Sequence, residues 1–107
     1  MAKNYINFEK IERLTEQDKD VPIAYRAIKL SEETGEFSQA VLRLLGSKNV
    51  SASAGNLKED VLEELCDVLN VTVDLINILG FSDEEVQEMF EKKLNKWEAK
   101  QKKYKEG

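Results

Sequence analysis

The 107-residue sequence has no histidine, one cysteine, one proline and one tryptophan. Without an imidazole, neither a Ser-His-Asp or Cys-His nucleophile nor a His-based zinc site can be assembled. The lone Cys66 has no partner for an internal disulfide, and its place in an apolar seam reads as an inert buried thiol. No apolar run approaches the roughly 20 residues that cross a bilayer. No apolar segment follows a basic start, so the expectation is a reduced, cytoplasmic protein without signal peptide or membrane partner. Sixteen basic residues against 21 acidic ones leave a formal charge of -5, which argues against stable nucleic-acid binding. Any chemistry must come from carboxylates, lysines or a metal ion held by oxygen.

The length suits one domain over residues 1-107, and the scarcity of breakers leaves most of the chain free to be helical. Pro22 and the glycines at 46 and 80 divide it into four helices. The first is expected from Phe8 to Lys19 with Asn7 as cap. The second starts at Pro22, where the first turn tolerates a missing N–H, and runs to Leu45 before Gly46. The segment Ser47 to Asn56 reads as a mobile loop. Asn56 with Glu59, and Ser82 with Glu85, are capping arrangements for a third helix ending at Gly80 and a fourth reaching about Lys103 with a frayed, charged end. No internal repeat is present.

Two adjacent apolar seams on the second helix predict a wide buried face: Ile23, Ala27, Leu30, Thr34, Phe37, Val41 and Leu44, beside Ala24, Ile28, Ser31, Gly35, Ser38, Leu42 and Leu45. Arg26, Lys29, Glu33, Glu36 and Arg43 take the remaining polar side. The third helix also has two apolar seams, so four short helices cover it poorly. An all-α bundle whose core is completed by a homo-oligomer is therefore expected, the two central helices of each subunit pairing with those of a partner.

One narrow stripe of the third helix stays polar: Glu63, Asp67, Asn70, Asp74 and Asn77, with Glu64 beside it. No basic residue lies between Lys58 and Lys92 to neutralise it. The second helix offers Glu32, Glu33 and Glu36. If the helices pack antiparallel, the pairs Glu33 with Glu36 and Glu64 with Asp67 converge on one small volume. Carboxylates three or four apart also occur on many solvated helices, and Lys29 can pair with Glu33. The conjunction of both pairs on two largely buried helices favours a hard-cation site, and all-oxygen ligation selects Mg²⁺ or Mn²⁺. Asn70 and Asp74 are candidates to orient ligands, bind sugar hydroxyls or hold a further metal. Seven lysines between Lys92 and Lys105 read as a nucleotide-binding end, a weak nucleic-acid patch or a solubilising tail. Lys93, Lys96 and Lys100 share one face, and Trp97 beside them can stack on a base or pack as an anchor.

The stretch Lys29-Leu30-Ser31-Glu32-Glu33-Thr34-Gly35-Glu36-Phe37, followed by Glu63-Glu64-Leu65-Cys66-Asp67-Val68-Leu69, resembles the MazG-like all-α nucleoside triphosphate pyrophosphohydrolases. Their EExxE and ExxD signature occurs here as Glu32-Glu33-x-x-Glu36 and Glu64-x-x-Asp67, and the resemblance extends from about Ala24 to Lys100. It implies a four-helix MazG-like bundle, dimeric or tetrameric, that cleaves a nucleoside triphosphate to monophosphate and pyrophosphate in nucleotide-pool control or house-cleaning. It also implies Mg²⁺ ligation by Glu33, Glu36, Glu64 and Asp67, with Glu32 as a further ligand or, like Glu33, a base for water. Substrate contacts are expected from Lys29, Asn70, Lys93, Lys96, Trp97 and Lys100. The last departs from the arginine common in relatives, keeping the charge but losing the planar fork. The competing readings are a phosphoribosyl-ATP pyrophosphohydrolase of related fold and a non-catalytic helical module that docks a basic partner on the acidic stripe.

Overall fold

A computed structural model of the chain describes residues 4–46 and 56–106. Among them are four helices and no strand: α1 (Phe8–Gln17), α2 (Ile23–Leu44), α3 (Leu57–Ile78) and α4 (Asp83–Glu106). The fold is all-α. The long connection expected from Ser47 to Asn56 lies, up to residue 55, outside the described residues.

Short polar side chains start the helices. The Asn7 side chain accepts the Lys10 N–H and that of Asn56 accepts the Glu59 N–H, satisfying donors that have no partner in a first turn. Before α4, the Glu85 N–H donates to Ser82 Oγ while the Ser82 N–H donates to Glu85 Oε1, a reciprocal capping box. That hydrogen bond holds the Glu85 carboxyl below its ordinary range. Gly46 and Gly80 both sit at φ 77°, the left-handed conformation that stops α2 and α3. α1 ends two residues before the expected Lys19, since residues 18–20 form a turn whose Asp18 carbonyl is taken by Arg26 of α2. The charged end of α4 continues helical to Glu106, beyond the expected Lys103.

α2 and α3 pack antiparallel along their lengths, and α1 lies against α3. Among the described residues α4 packs on none of the other three helices. Its departure leaves a radius of gyration of 17.1 Å, where a compact chain of this length has about 13 Å. Neither α2 seam is covered throughout: the buried stripe runs through Arg26, Leu30, Glu33, Phe37 and Ala40, and Ile23, Ala27 and Leu44 of the first seam are exposed. Phe37 and Val41 are half-buried and Ala40 is buried, whereas Ile28 and Leu42 of the second seam are exposed, as are Leu62, Leu65 and Leu69 of α3. Cys66, expected to be buried, is exposed for the same reason: its seam faces away from α2. The larger surprise is Arg26. Expected on the polar side of α2, it is only 5% exposed, because α1, the turn after it and α3 close over that side.

Candidate metal centre

At the middle of the α2–α3 pair, carboxylate oxygens of Glu33, Glu64 and Asp67 lie within 4.8 Å of one another. Glu33 comes from α2; Glu64 and Asp67, one turn apart, come from α3. The antiparallel packing makes them meet. Glu33 is 5% exposed, and its Oε1 accepts a hydrogen bond from Lys29 Nζ at 3.0 Å. Its Oε2, and Oε2 of Glu64, are buried without any hydrogen-bond partner.

The charge balance is unfavourable as it stands. Burial first, and then the charges of Glu36, Asp67 and Glu33, push the Glu64 carboxyl above its ordinary range. Lys29 answers on the α2 side: its hydrogen bond to Glu33, reinforced by Glu33's charge, raises the Lys29 ammonium above its usual value. An uncompensated buried carboxylate is costly, and two orphaned oxygens converging with a third group on one point are what a hard cation would satisfy. Three oxygens from aspartate and glutamate suit Mg²⁺ or Mn²⁺, which complete their coordination with water or phosphate.

Of the residues singled out in the sequence, the structure gathers Glu33, Glu64, Asp67 and Lys29. Glu36 stands close enough for its charge to help raise the Glu64 carboxyl, though it offers no oxygen to the three-residue set. Glu32 is exposed on α2 and Asn70 is exposed on α3, one turn beyond Asp67. Lys93, Lys96, Trp97 and Lys100 are not gathered: they ride on α4, which does not pack along either carboxylate-bearing helix, and Trp97 is 61% exposed.

Asp74 is committed elsewhere. Arg26 Nη1 donates to both of its oxygens at 2.6 and 2.5 Å, so this end of the acidic stripe is neutralised and is no site for a further metal. Thr15 of α1 donates to Asp74 Oδ1 at 2.7 Å, and Asn77 Nδ2 donates to Thr15 Oγ1 at 3.4 Å. Arg26 also donates through Nε to the Val21 carbonyl at 3.2 Å and through Nη2 to that of Asp18. This network was not anticipated. The signal available was Asp74 itself, the one acid between Val68 and Phe81, where an apolar helix face demands a partner for it.

A family model described as the MazG nucleotide pyrophosphohydrolase domain matches residues 25–102, a span that takes in Arg26, every carboxylate of the cluster and Lys93, Lys96 and Lys100 of α4. No match is found among curated proteins or among solved structures.

Proposed function

Since the chain belongs to the MazG nucleotide pyrophosphohydrolase family, we propose that it hydrolyses a nucleoside triphosphate to the monophosphate and pyrophosphate with Mg²⁺ or Mn²⁺ held at Glu33, Glu64 and Asp67. The supporting observation is the pair of buried, partnerless oxygens on Glu33 and Glu64, aimed at one volume that Asp67 also reaches. A cation bound there supplies charge neutralisation of the phosphates and a lowered pKa for an attacking water. Glu36, whose charge reaches Glu64, is the fourth ligand we assign. Glu33 is held in place by Lys29, so Glu32, adjacent and exposed, is the residue we assign to accept the proton of water. Asn70, exposed one turn along α3, is positioned to hydrogen-bond the sugar.

Phosphate charge calls for cations beyond Lys29. Lys93, Lys96 and Lys100 occupy one face of α4, and α4 packs on neither α2 nor α3 of its own chain. We assign them to the carboxylate cluster of a second copy, which makes the working unit at least a dimer. The exposed area supports this. The chain exposes 9129 Å², whereas a folded monomer of 12.3 kDa exposes about 6,100 Å². The excess, about 3,000 Å² per chain, is more than the roughly 1,000 to 2,500 Å² per partner that permanent interfaces commonly bury, so an interface of that class can be accommodated.

Incubation with a panel of canonical and modified nucleotides and phosphoribosyl-ATP, with Mg²⁺ and separately with Mn²⁺, should release pyrophosphate from at least one nucleoside triphosphate. Turnover of phosphoribosyl-ATP alone would reassign the substrate. No turnover of any compound with either metal would leave a helical interaction module as the reading.

A further inference from the structure

We propose that the Arg26–Asp74 ion pair is a positioning pair: it sets the axial register of α2 on α3, and the register assembles the carboxylate cluster. The proposal rests on the metal-site reading above and concerns what holds that site together.

The first observation is spacing. Seven residues forward along α2 from Arg26 lies Glu33, and seven residues back along α3 from Asp74 lies Asp67; three steps further each way lie Glu36 and Glu64. Seven residues are close to two helical turns. The ion pair and the acidic cluster are thus stacked at two levels of one antiparallel interface, both on the same edge of the helix pair. Fixing the first level fixes the second.

The second observation is sign. At the cluster level, carboxylates contributed by the two helices lie within 4.8 Å of one another and repel. Among the described residues, Arg26–Asp74 is the one salt bridge that joins two helices; Lys19–Glu16 and Lys29–Glu33 each lie within a single segment of the chain. The attraction that opposes the repulsion is concentrated at that point.

The third observation is that the apolar seams specify register weakly. Of the apolar side chains on α2 only Leu30, Phe37, Ala40 and Val41 are half-buried or buried, so apolar burial alone leaves the axial register weakly fixed. A slip of about 5.4 Å is more than twice a Mg–O distance of roughly 2.1 Å and would disperse the cluster. A buried ionic pair is suited to excluding that slip, since a displaced Arg26 would leave two buried charges without partners. Every donor group on this guanidinium is engaged, by Asp74 or by the Val21 and Asp18 carbonyls, and Asp74 also accepts from Thr15. Each guanidinium nitrogen already has a protein partner, and the pair acts through the residues it places.

The test uses the full chain. Asp74→Asn keeps the shape but loses the charge; Arg26→Met combined with Asp74→Leu removes both charges together, a change that buried pairs often tolerate. Mn²⁺ affinity is measured by titration at a temperature where circular dichroism shows each variant folded, and a loss of about 10- to 100-fold is expected, as for residues that orient metal ligands. Arg26→Lys keeps the charge but loses the fork that also reaches the Val21 and Asp18 carbonyls, so its Mn²⁺ affinity should fall between those of Asp74→Asn and wild type. A metal-free readout accompanies this: the distance between nitroxide labels at Gln39 and Lys58 in a Cys66→Ser background, diluted with unlabelled chains, should shift or broaden in Asp74→Asn. Unchanged Mn²⁺ affinity with an unchanged label distance in folded Asp74→Asn would overturn the proposal. Should the double variant not fold, Asp74→Asn and Arg26→Lys decide. A wild type that binds no Mn²⁺ rejects the metal reading instead, and the label distance still tests the register.

Discussion

Glu64 must ionise where burial removes water and Glu36, Asp67 and Glu33 add like charge, so the native state holds its proton more tightly than the unfolded chain does. A carboxyl raised in this way stabilises the fold below its ordinary value near 4.5, and that contribution is lost as pH rises through the raised value. In metal-free protein, wild type should lose stability relative to Glu64→Gln as melting is followed from pH 4 to pH 7; parallel curves would remove the group from the pH dependence. The same repulsion predicts that Glu36→Gln and Asp67→Asn melt at or above wild type without metal. With metal the order reverses. A ligand that binds only the native form adds about 2.7 kcal/mol at a hundredfold excess over Kd, so wild-type Tm should rise with Mn²⁺ while both variants lose that rise together with turnover. Glu88 and Glu91 on α4 are controls, and changing either should affect neither property. Variants that melt well below wild type without metal and keep its metal response would show that the carboxylates make structural bonds. The cluster was legible in the sequence because a ligand set needs particular residue types at helical spacing on two helices. Arg26 and Thr15 were not legible as buried residues, because a guanidinium or hydroxyl on a polar face carries no mark of whether water or another helix lies opposite.

The helix boundaries rest on local chemistry, which is why they could be read so closely. Asn7, Asn56 and Ser82 act within three residues of themselves, and Gly46 and Gly80 take a conformation that other residues adopt at a cost of roughly 1–2 kcal/mol. Gly80→Ala should lower stability by about that amount through backbone strain alone, since an added Cβ at this position meets nothing within 4 Å; urea unfolding measures it. Gly35 provides the contrast. It lies inside α2 with ordinary helical geometry and with nothing within 4 Å of an added Cβ, so alanine should favour the helix by about 1 kcal/mol in a lone chain. If a second copy packs against the seam of Ser31, Gly35 and Ser38, Gly35→Leu should weaken assembly, and the two substitutions then move stability in opposite directions. The direction of α4 was not legible. Its apolar stripe announces that Val86, Phe90, Leu94 and Trp97 need cover, but periodicity does not say which chain supplies it.

At the scale of the molecule, the exposed apolar faces of α2, α3 and α4 predict a mass by light scattering of at least twice 12.3 kDa at micromolar concentration. A mass equal to one chain would contradict the assembly. Whether α4 serves a neighbouring cluster is tested by mixing two inactive proteins, one carrying Asp67→Asn and the other Lys93→Ala, Lys96→Ala and Lys100→Ala. Refolded together in equal amounts, they should regain about a quarter of the sites if the lysines act between copies, and none if they act within one. The separation of α4 from the rest of its own chain also bears on how the molecule forms. The α2–α3 pair and α1 can associate as soon as one polypeptide is available, a unimolecular event. The 24 residues of α4, Asp83 to Glu106, must wait for an encounter. Refolding should therefore show a fast, concentration-independent phase that builds most of the helix signal, followed by a second-order phase in which Trp97 fluorescence changes and whose half-time shortens in proportion to protein concentration. On dilution the order inverts, with the amides of α4 losing protection from hydrogen exchange while those of α2 and α3 keep theirs.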